Sequence, residues 1–246
     1  MSTFSDFQLD DAIVAAVDKL GFETATPIQA ATIPTLLNGT DIIGKARTGS
    51  GKTAAFGLPM LHRLANGGNK PRGLILAPTR ELALQVTDAM RSFAKGLPVR
   101  IVTIYGGAPY PPQLKALRNG ATIVVGTPGR VIDHMERGSL DLSGIEMFVL
   151  DEADEMLRMG FIDDVEWILE QLPQERQVVL FSATMPPEIR RLSKRYLKDP
   201  AEVTIRTKDQ EGKRIRQRSI TVPMPHKLEA LQRVLDACGG EGVIIF

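Results

Sequence analysis

A run of four apolar residues, Met147-Phe148-Val149-Leu150, ends on Asp151-Glu152-Ala153-Asp154, and no other junction in the chain constrains the fold as strongly. An uninterrupted apolar run of this length reads as a strand buried on both faces. Carboxylates are costly to bury, so these three must emerge at the strand's C-terminal end, the edge where open α/β sheets bind ligands. Further apolar runs have the same character: Ile42-Ile43, Leu74 to Leu76, Arg100 to Tyr105, Thr122 to Val125, Val178 to Phe181 and Glu202 to Ile205. Helical patterns separate them, among them Lys52 to Leu64, Glu81 to Ala94, Pro111 to Arg118 and Ile162 to Gln171. This alternation predicts an α/β fold, a mostly parallel sheet with helices on both faces.

Upstream lies Ala46-Arg47-Thr48-Gly49-Ser50-Gly51-Lys52-Thr53, a glycine-rich turn opening a helix. Glycines 49 and 51 let backbone N–H groups converge on phosphate oxygens, and the helix N-terminus adds partial positive charge. Lys52 can reach the terminal phosphates and the Thr53 hydroxyl can ligate Mg²⁺. The usual phosphate-loop pattern begins with Gly where this chain has Ala46. Asp151 is placed to hold Mg²⁺, directly or through water. Glu152 can orient and deprotonate an attacking water. A solvated helix start would also carry Asp and Glu. The phosphate loop and the acidic strand end together point to a nucleoside triphosphate with Mg²⁺.

Other strand ends carry polar turns. Ser182-Ala183-Thr184 follows Val178 to Phe181; its hydroxyls can bond to the acidic cluster, or serve only as caps. Pro78-Thr79-Arg80-Glu81-Leu82 follows Leu74 to Ala77, Gly106-Gly107 follows Tyr105, and Thr127-Pro128-Gly129-Arg130 follows Gly126. These turns offer hydroxyls, free N–H groups and arginines without aromatic stacking residues. That chemistry binds a sugar–phosphate backbone and ignores base identity. Helix capping by Thr79 and Thr127 is the bland alternative.

Lys and Arg total 30 against 29 Asp and Glu, so any basic surface must be local. The stretch from Arg206 to Arg218 holds Lys208, Lys213, Arg214 and Arg216 besides its ends, and reads as a linker. Ser219 to Val222, a helical stretch from Lys227 to Ala237, a Gly239-Gly240 turn and Val243 to Phe246 then look like the opening of a second α/β domain. A chain ending on an apolar strand is expected to be a fragment. The lone Cys238 excludes an internal disulfide and fits a reducing compartment. No signal peptide or membrane span is read, which predicts a cytoplasmic protein. His62, His134 and His226 lie near no motif, Trp167 reads as core or helix packing, and Met156 and Met159 read as packing of the helix after the acidic motif.

These residues resemble the N-terminal RecA-like domain of DEAD-box ATP-dependent RNA helicases of superfamily 2. The resemblance covers roughly residues 4 to 206, with 207–218 as basic linker and 219–246 as the truncated start of a second RecA-like domain. Motif I matches Ala46 to Thr53, including its first Ala, motif II Asp151 to Asp154 and motif III Ser182 to Thr184. Motifs Ia and Ib match Pro78 to Leu82 and Thr127 to Arg130, with Gly106-Gly107 between them, and Val243 to Phe246 looks like the start of motif IV. The most diagnostic stretch is Gly21-Phe22-Glu23-Thr24-Ala25-Thr26-Pro27-Ile28-Gln29, which resembles the family's Q motif. The family commonly has Pro where Ala25 stands, so a looser turn is expected there.

The resemblance implies a RecA-like P-loop fold and an RNA-stimulated ATPase that opens RNA duplexes. By position, Gln29 reads the adenine edge, Phe22 stacks on the base with Phe4 behind it, and Thr24 joins them. ATP and Mg²⁺ sit on Lys52, Thr53, Asp151 and Glu152, with Ser182 and Thr184 coupling hydrolysis to strand separation. Asp154 meets the second domain. RNA lies across Pro78, Thr79, Arg80, Gly106, Gly107, Thr127, Pro128, Gly129 and Arg130. The family's second half supplies arginine fingers, worth roughly 10³–10⁵ in rate. This chain alone is therefore expected to bind adenine nucleotide weakly and neither to unwind RNA nor to turn over ATP briskly. A superfamily 2 DNA translocase and a non-enzymatic ATP-dependent RNA clamp are the rival readings.

Overall fold

The structure is a computed structural model that describes residues 2–47, 49–205, 218–237 and 242–243. Thr48, the basic stretch 206–217, Cys238, the Gly239-Gly240 turn and residues 244–246 lie outside the described residues. By contacts the chain divides into two compact units, Met1–Arg206 and Thr207–Phe246.

In the first unit a 3-10 turn at Phe4–Phe7 leads into α1 (Asp11–Lys19), α2 (Pro27–Leu37), β1 (Ile42–Lys45), α3 (Lys52–Arg63), β2 (Gly73–Leu76) and α4 (Arg80–Phe93). There follow β3 (Ile101–Ile104), α5 (Tyr110–Arg118), β4 (Ile123–Gly126), α6 (Pro128–Glu136), β5 (Met147–Leu150), α7 (Ala153–Arg158), α8 (Ile162–Gln171), β6 (Gln177–Ser182), α9 (Pro187–Tyr196) and β7 (Ala201–Thr204). The seven strands order as β3-β4-β2-β5-β6-β1-β7, and every pairing is parallel. Parallel pairing sends all C-terminal strand ends to one edge, where the sequence places its polar turns.

Successive strand residues point to opposite faces, and the core divides accordingly. Met147 and Val149 of β5 join Ile42, Ile75, Val179 and Phe181 beneath α1 to α4. Phe148 and Leu150 join Leu74, Val124, Val178 and Leu180 beneath α6 to α9. The central strands β2, β4, β5 and β6 are buried throughout, as their unbroken apolar runs predict. Edge strand β7 alternates instead, with Glu202 and Thr204 exposed, which discourages pairing with another chain. Gly44 in β1 is required by packing: a Cβ there would come within 2.2 Å of the Phe181 ring.

Trp167 is not in the core. It is 36% exposed, because its neighbours Val165, Ile168 and Leu169 take the buried face of α8. Met156 is buried as expected, while Met159, at the C-cap of α7, is 44% exposed.

In the second unit α10 spans Lys227–Ala237, the predicted range. Ser219 to Val222 has no regular secondary structure.

Candidate nucleotide site and nucleic-acid interface

β6 stands between β1 and β5, so the turn after β1 and the acids after β5 flank its end. Lys52, the first residue of α3, turns its amine between them: Nζ lies 3.0 Å from Asp151 Oδ1 and 3.4 Å from Glu152 Oε1. Lys52 and Asp151 are both buried. Burial pushes the Asp151 carboxyl above its ordinary range, against the pull of Lys52. Glu152 is held at φ +53°, a left-handed conformation uncommon for a side-chain-bearing residue and characteristic of functional turns. Its N–H donates to Asp151 Oδ1 at 3.0 Å.

The start of the loop is tied to the end of β6. Ala46 N–H donates to Ser182 O at 3.3 Å, and Ser50 N–H donates to Arg47 O at 3.4 Å. Thr53 follows Lys52 in the first turn of α3. The Ser50 hydroxyl is buried with no hydrogen-bond partner among the described residues, an orphan that a bound phosphate would satisfy.

The predicted adenine-reading residues border this loop. A groove of about 440 Å³ is lined by Phe22, Thr24, Thr26, Gln29, Gly49 and Gly51 among others. Thr26 Oγ1 donates to Ser50 O at 3.0 Å and Gln29 Nε2 donates to Gly51 O at 3.2 Å, while Gln29 Oε1 accepts from Thr26 N–H at 2.8 Å. A primary amide carries two donor hydrogens and two acceptor lone pairs, so one of each is left on Gln29. Phe4 is buried 6.1 Å behind Phe22, whose other neighbour is Phe93 at 6.0 Å. Gly51 is obligatory: it sits at φ +92°, and a Cβ would come within 2.5 Å of Gln29 Nε2. Ala25 N–H donates to Ser2 O at 3.0 Å, a bond that proline could not make.

Asp154 and the Ser182–Thr184 turn form one network. Asp154 Oδ2 accepts from Thr184 N–H at 2.9 Å and Thr184 Oγ1 at 2.8 Å, and Oδ1 from Ala183 N–H at 3.4 Å. Ser182 Oγ accepts from Asp154 N–H at 3.1 Å and donates to Thr184 O at 2.7 Å. Burial raises the Asp154 carboxyl, but these donors outweigh it and hold the group below its usual range.

The remaining turns lie at the other end of the same edge, after β2, β4 and β3. Thr79 caps α4, its hydroxyl accepting from Leu82 N–H at 3.2 Å. Thr127 Oγ1 instead accepts from Gly106 N–H at 3.4 Å, and Arg130 donates to Ala108 O at 3.2 Å, so these two turns brace each other. Pro128 and Gly129 open α6, and Gly107 takes φ +73° with nothing within 4 Å of a Cβ. Aromatic rings do stand here, contrary to the sequence expectation. The Arg80 guanidinium lies 4.9 Å from the Tyr105 centroid and that of Arg130 lies 5.4 Å from Tyr110. Both rings hold arginines in place.

Sequence reasoning also passed over Gln113. Its buried amide accepts from Tyr105 N–H at 3.2 Å and donates to Tyr105 O at 3.2 Å and Pro109 O at 3.4 Å, spanning the Gly106-Gly107 turn. A polar residue on an amphipathic helix carries no local mark of such a role. His62 accepts from Asp10 N–H at 3.0 Å through Nδ1, and His134 stacks on Tyr110 at 4.3 Å. Among the described residues no cluster of three or more His, Cys, Asp or Glu could hold a metal, and no helix is long and apolar enough to cross a membrane.

Comparison with known proteins places this geometry. The chain is 53% identical over 246 residues to the ATP-dependent RNA helicase DeaD of Escherichia coli, covering 100% of this chain and 39% of that protein. It is 48% identical to the ATP-dependent RNA helicase CshA of Listeria monocytogenes, covering 47% of that protein. The chain thus spans less than half the length of these curated relatives. A crystal structure of a DEAD box protein from Methanococcus jannaschii matches with a TM-score of 0.79 at 46% identity, over 95% of this chain and 63% of that one. The parallel sheet is accordingly RecA-like. The profile of DEAD/DEAH box helicases matches residues 26–192, from Thr26 into α9, and the chain belongs to that family.

Proposed function

We propose that this chain is the nucleotide-binding half of an ATP-dependent RNA helicase, gripping RNA on the same sheet edge. The observation that carries the reading is the convergence of Lys52 on Asp151 and Glu152, beside a groove that joins Phe22 and Gln29 to the phosphate loop. Gln29 offers its remaining N–H and lone pair to the adenine edge, and Phe22, backed by Phe4, offers its ring. Residues 46–51 cradle the phosphates. Lys52 exchanges its contact with Asp151 for phosphate oxygens, and Glu152 orients and deprotonates the attacking water.

The donor set suits Mg²⁺, which favours hard oxygens and is commonly held by one or two carboxylates, substrate phosphates and water. Thr53 and Asp151 would hold it, directly or through water, and it would neutralise charge developing on the phosphates. The absence of a larger carboxylate cluster among the described residues is therefore no obstacle.

RNA lies across Thr79, Arg80, Gly106, Gly107, Thr127 and Arg130, read through its backbone. Asp154, with Ser182 and Thr184, links the nucleotide half of the edge to a second RecA-like domain that closes over both ligands. The naming of DeaD and CshA as ATP-dependent RNA helicases supports this reading. A cytoplasmic setting accords with the single cysteine. Titration with ATP and GTP tests the base assignment: Gln29→Ala should erode the preference for ATP, and unchanged selectivity would remove Gln29 from that role.

A further inference from the structure

Between Asp88 and Asp133 the chain contains no Asp or Glu, yet it carries Arg91, Lys95, Arg100, Lys115, Arg118 and Arg130. In a chain of formal net charge +1, this concentrates positive charge on the β3–β4 end of the sheet and on α5. A groove of about 490 Å³ runs here, lined by Tyr110, Leu114, Leu117 and Arg118 from α5, and by Arg137 and Ser139 just beyond α6. Its cations are only partly neutralised. Arg130 and Arg137 share one carboxylate, Asp133, and neither Arg118 nor Lys115 has a carboxylate within ion-pair distance among the described residues.

The groove is continuous with the turns already described. Tyr110 lines it and lies under the guanidiniums of both Arg130, at 5.4 Å, and Arg137, at 4.7 Å. Arg130 in turn bonds the Ala108 carbonyl, one residue past Gly107. A strand leaving Gly107 therefore meets Tyr110 first and Arg118 and Arg137 next. From Tyr110 to Arg118 the helix rises about 12 Å, room for about three phosphates of one strand.

We propose that the α5–α6 groove is a second phosphate-backbone subsite, carrying RNA from Gly107 and Arg130 past Tyr110 onto Arg118 and Arg137. It rests on the reading of the strand-end turns as an RNA track. Phosphate backbone fits better than an acidic peptide because the groove opens directly off turns suited to phosphate, and its arginines are spaced along a path.

The test compares two oligoadenylates, one of about 6 nucleotides and one of about 16, both within the range of single-strand site sizes. Each phosphate contact on a single strand contributes a salt slope of about −0.7, or about 5-fold in affinity at 0.1 M salt relative to 1 M. The double variant Arg118→Gln/Arg137→Gln should weaken the long RNA about 25-fold at 0.1 M salt and flatten its slope by about 1.4, leaving the short RNA and adenine nucleotide unaffected. Arg118→Lys/Arg137→Lys should retain most of the affinity. Arg130→Ala should weaken both RNAs. If Arg130→Ala does so and the double variant does nothing, the subsite is wrong and the track stands. Equal weakening of both RNAs would also overturn the subsite, as would a groove that takes polyglutamate in preference to the long RNA. If the parent chain binds neither RNA, the track reading fails and the subsite with it.

Discussion

Replacing Lys52 by methionine should reveal how the two halves of the proposed nucleotide site are held together. Lys52 is 6% exposed and Asp151 1%, and their contact joins positions 99 residues apart in the chain. Methionine approximates the volume of lysine but leaves the Asp151 carboxylate only the Glu152 N–H. Removing one partner of a buried ion pair costs about 3–5 kcal/mol. A second route gives a similar figure. The stranded carboxyl escapes by taking up a proton, and holding it neutral at pH 7 against an unfolded value of about 3.9 costs up to about 4 kcal/mol relative to an ionised parent carboxyl. That route also fixes the pH dependence. Burial already raises this carboxyl with Lys52 present, and its removal raises it further. The folded variant then binds a proton that the unfolded chain releases. Such a group's stability is fully present below the unfolded value and is lost as pH rises. Lys52→Met should therefore approach the parent in acid, where both hold the Asp151 proton, and fall behind by about 1.4 kcal/mol for each pH unit once the parent carboxyl has ionised. Thermal unfolding across a pH series reads this out: at pH 7 the midpoint should drop by roughly 8–16 °C for a domain of this size. Lys52→Met/Asp151→Asn, with no charge left to bury, should recover much of the loss. A loss independent of pH, or one the double variant fails to relieve, would show that Lys52 does not hold Asp151 ionised.

Gly51→Ala forces a side chain into φ +92° and against Gln29 Nε2. It should cost about 1–2 kcal/mol for the backbone and about 1 for the lost Gln29 bond, lowering both the melting midpoint and nucleotide affinity; full affinity would contradict the coupling of Gln29 to the loop. Asp154→Ala strips the acceptor from Ala183 N–H, Thr184 N–H and Thr184 Oγ1, and should destabilise the domain by about 2–3 kcal/mol near neutral pH. The Asp154 carboxyl is held below its usual range, so its contribution is present above the unfolded value and lost as pH falls. Unfolding midpoints of parent and variant should converge in acid, and a constant gap would exclude this network as the cause.

The β5 junction was legible because an apolar run meets charge within four residues, which puts the acids at a strand end; that Asp151 is nonetheless buried, against Lys52, was not. The phosphate loop was legible because a glycine-rich turn followed by Lys-Thr is a local arrangement with a local cause. The same holds for α8 and α10, whose apolar periodicity marks both ends to the residue. Gln113 was not legible for the opposite reason: its bonds to Tyr105 and Pro109 exist only once α5 packs beside β3.

Sequence alone determined which residues stand at strand ends and what chemistry they offer. Only the tertiary structure decided which strand ends become neighbours. The order β3-β4-β2-β5-β6-β1-β7 sets Lys52 against Asp151, commits Asp154 to Thr184, and turns Tyr105 and Tyr110 toward arginines from other turns. Local patterns report burial and backbone conformation, whereas strand pairing is settled by contacts between distant segments that compete across the whole sheet.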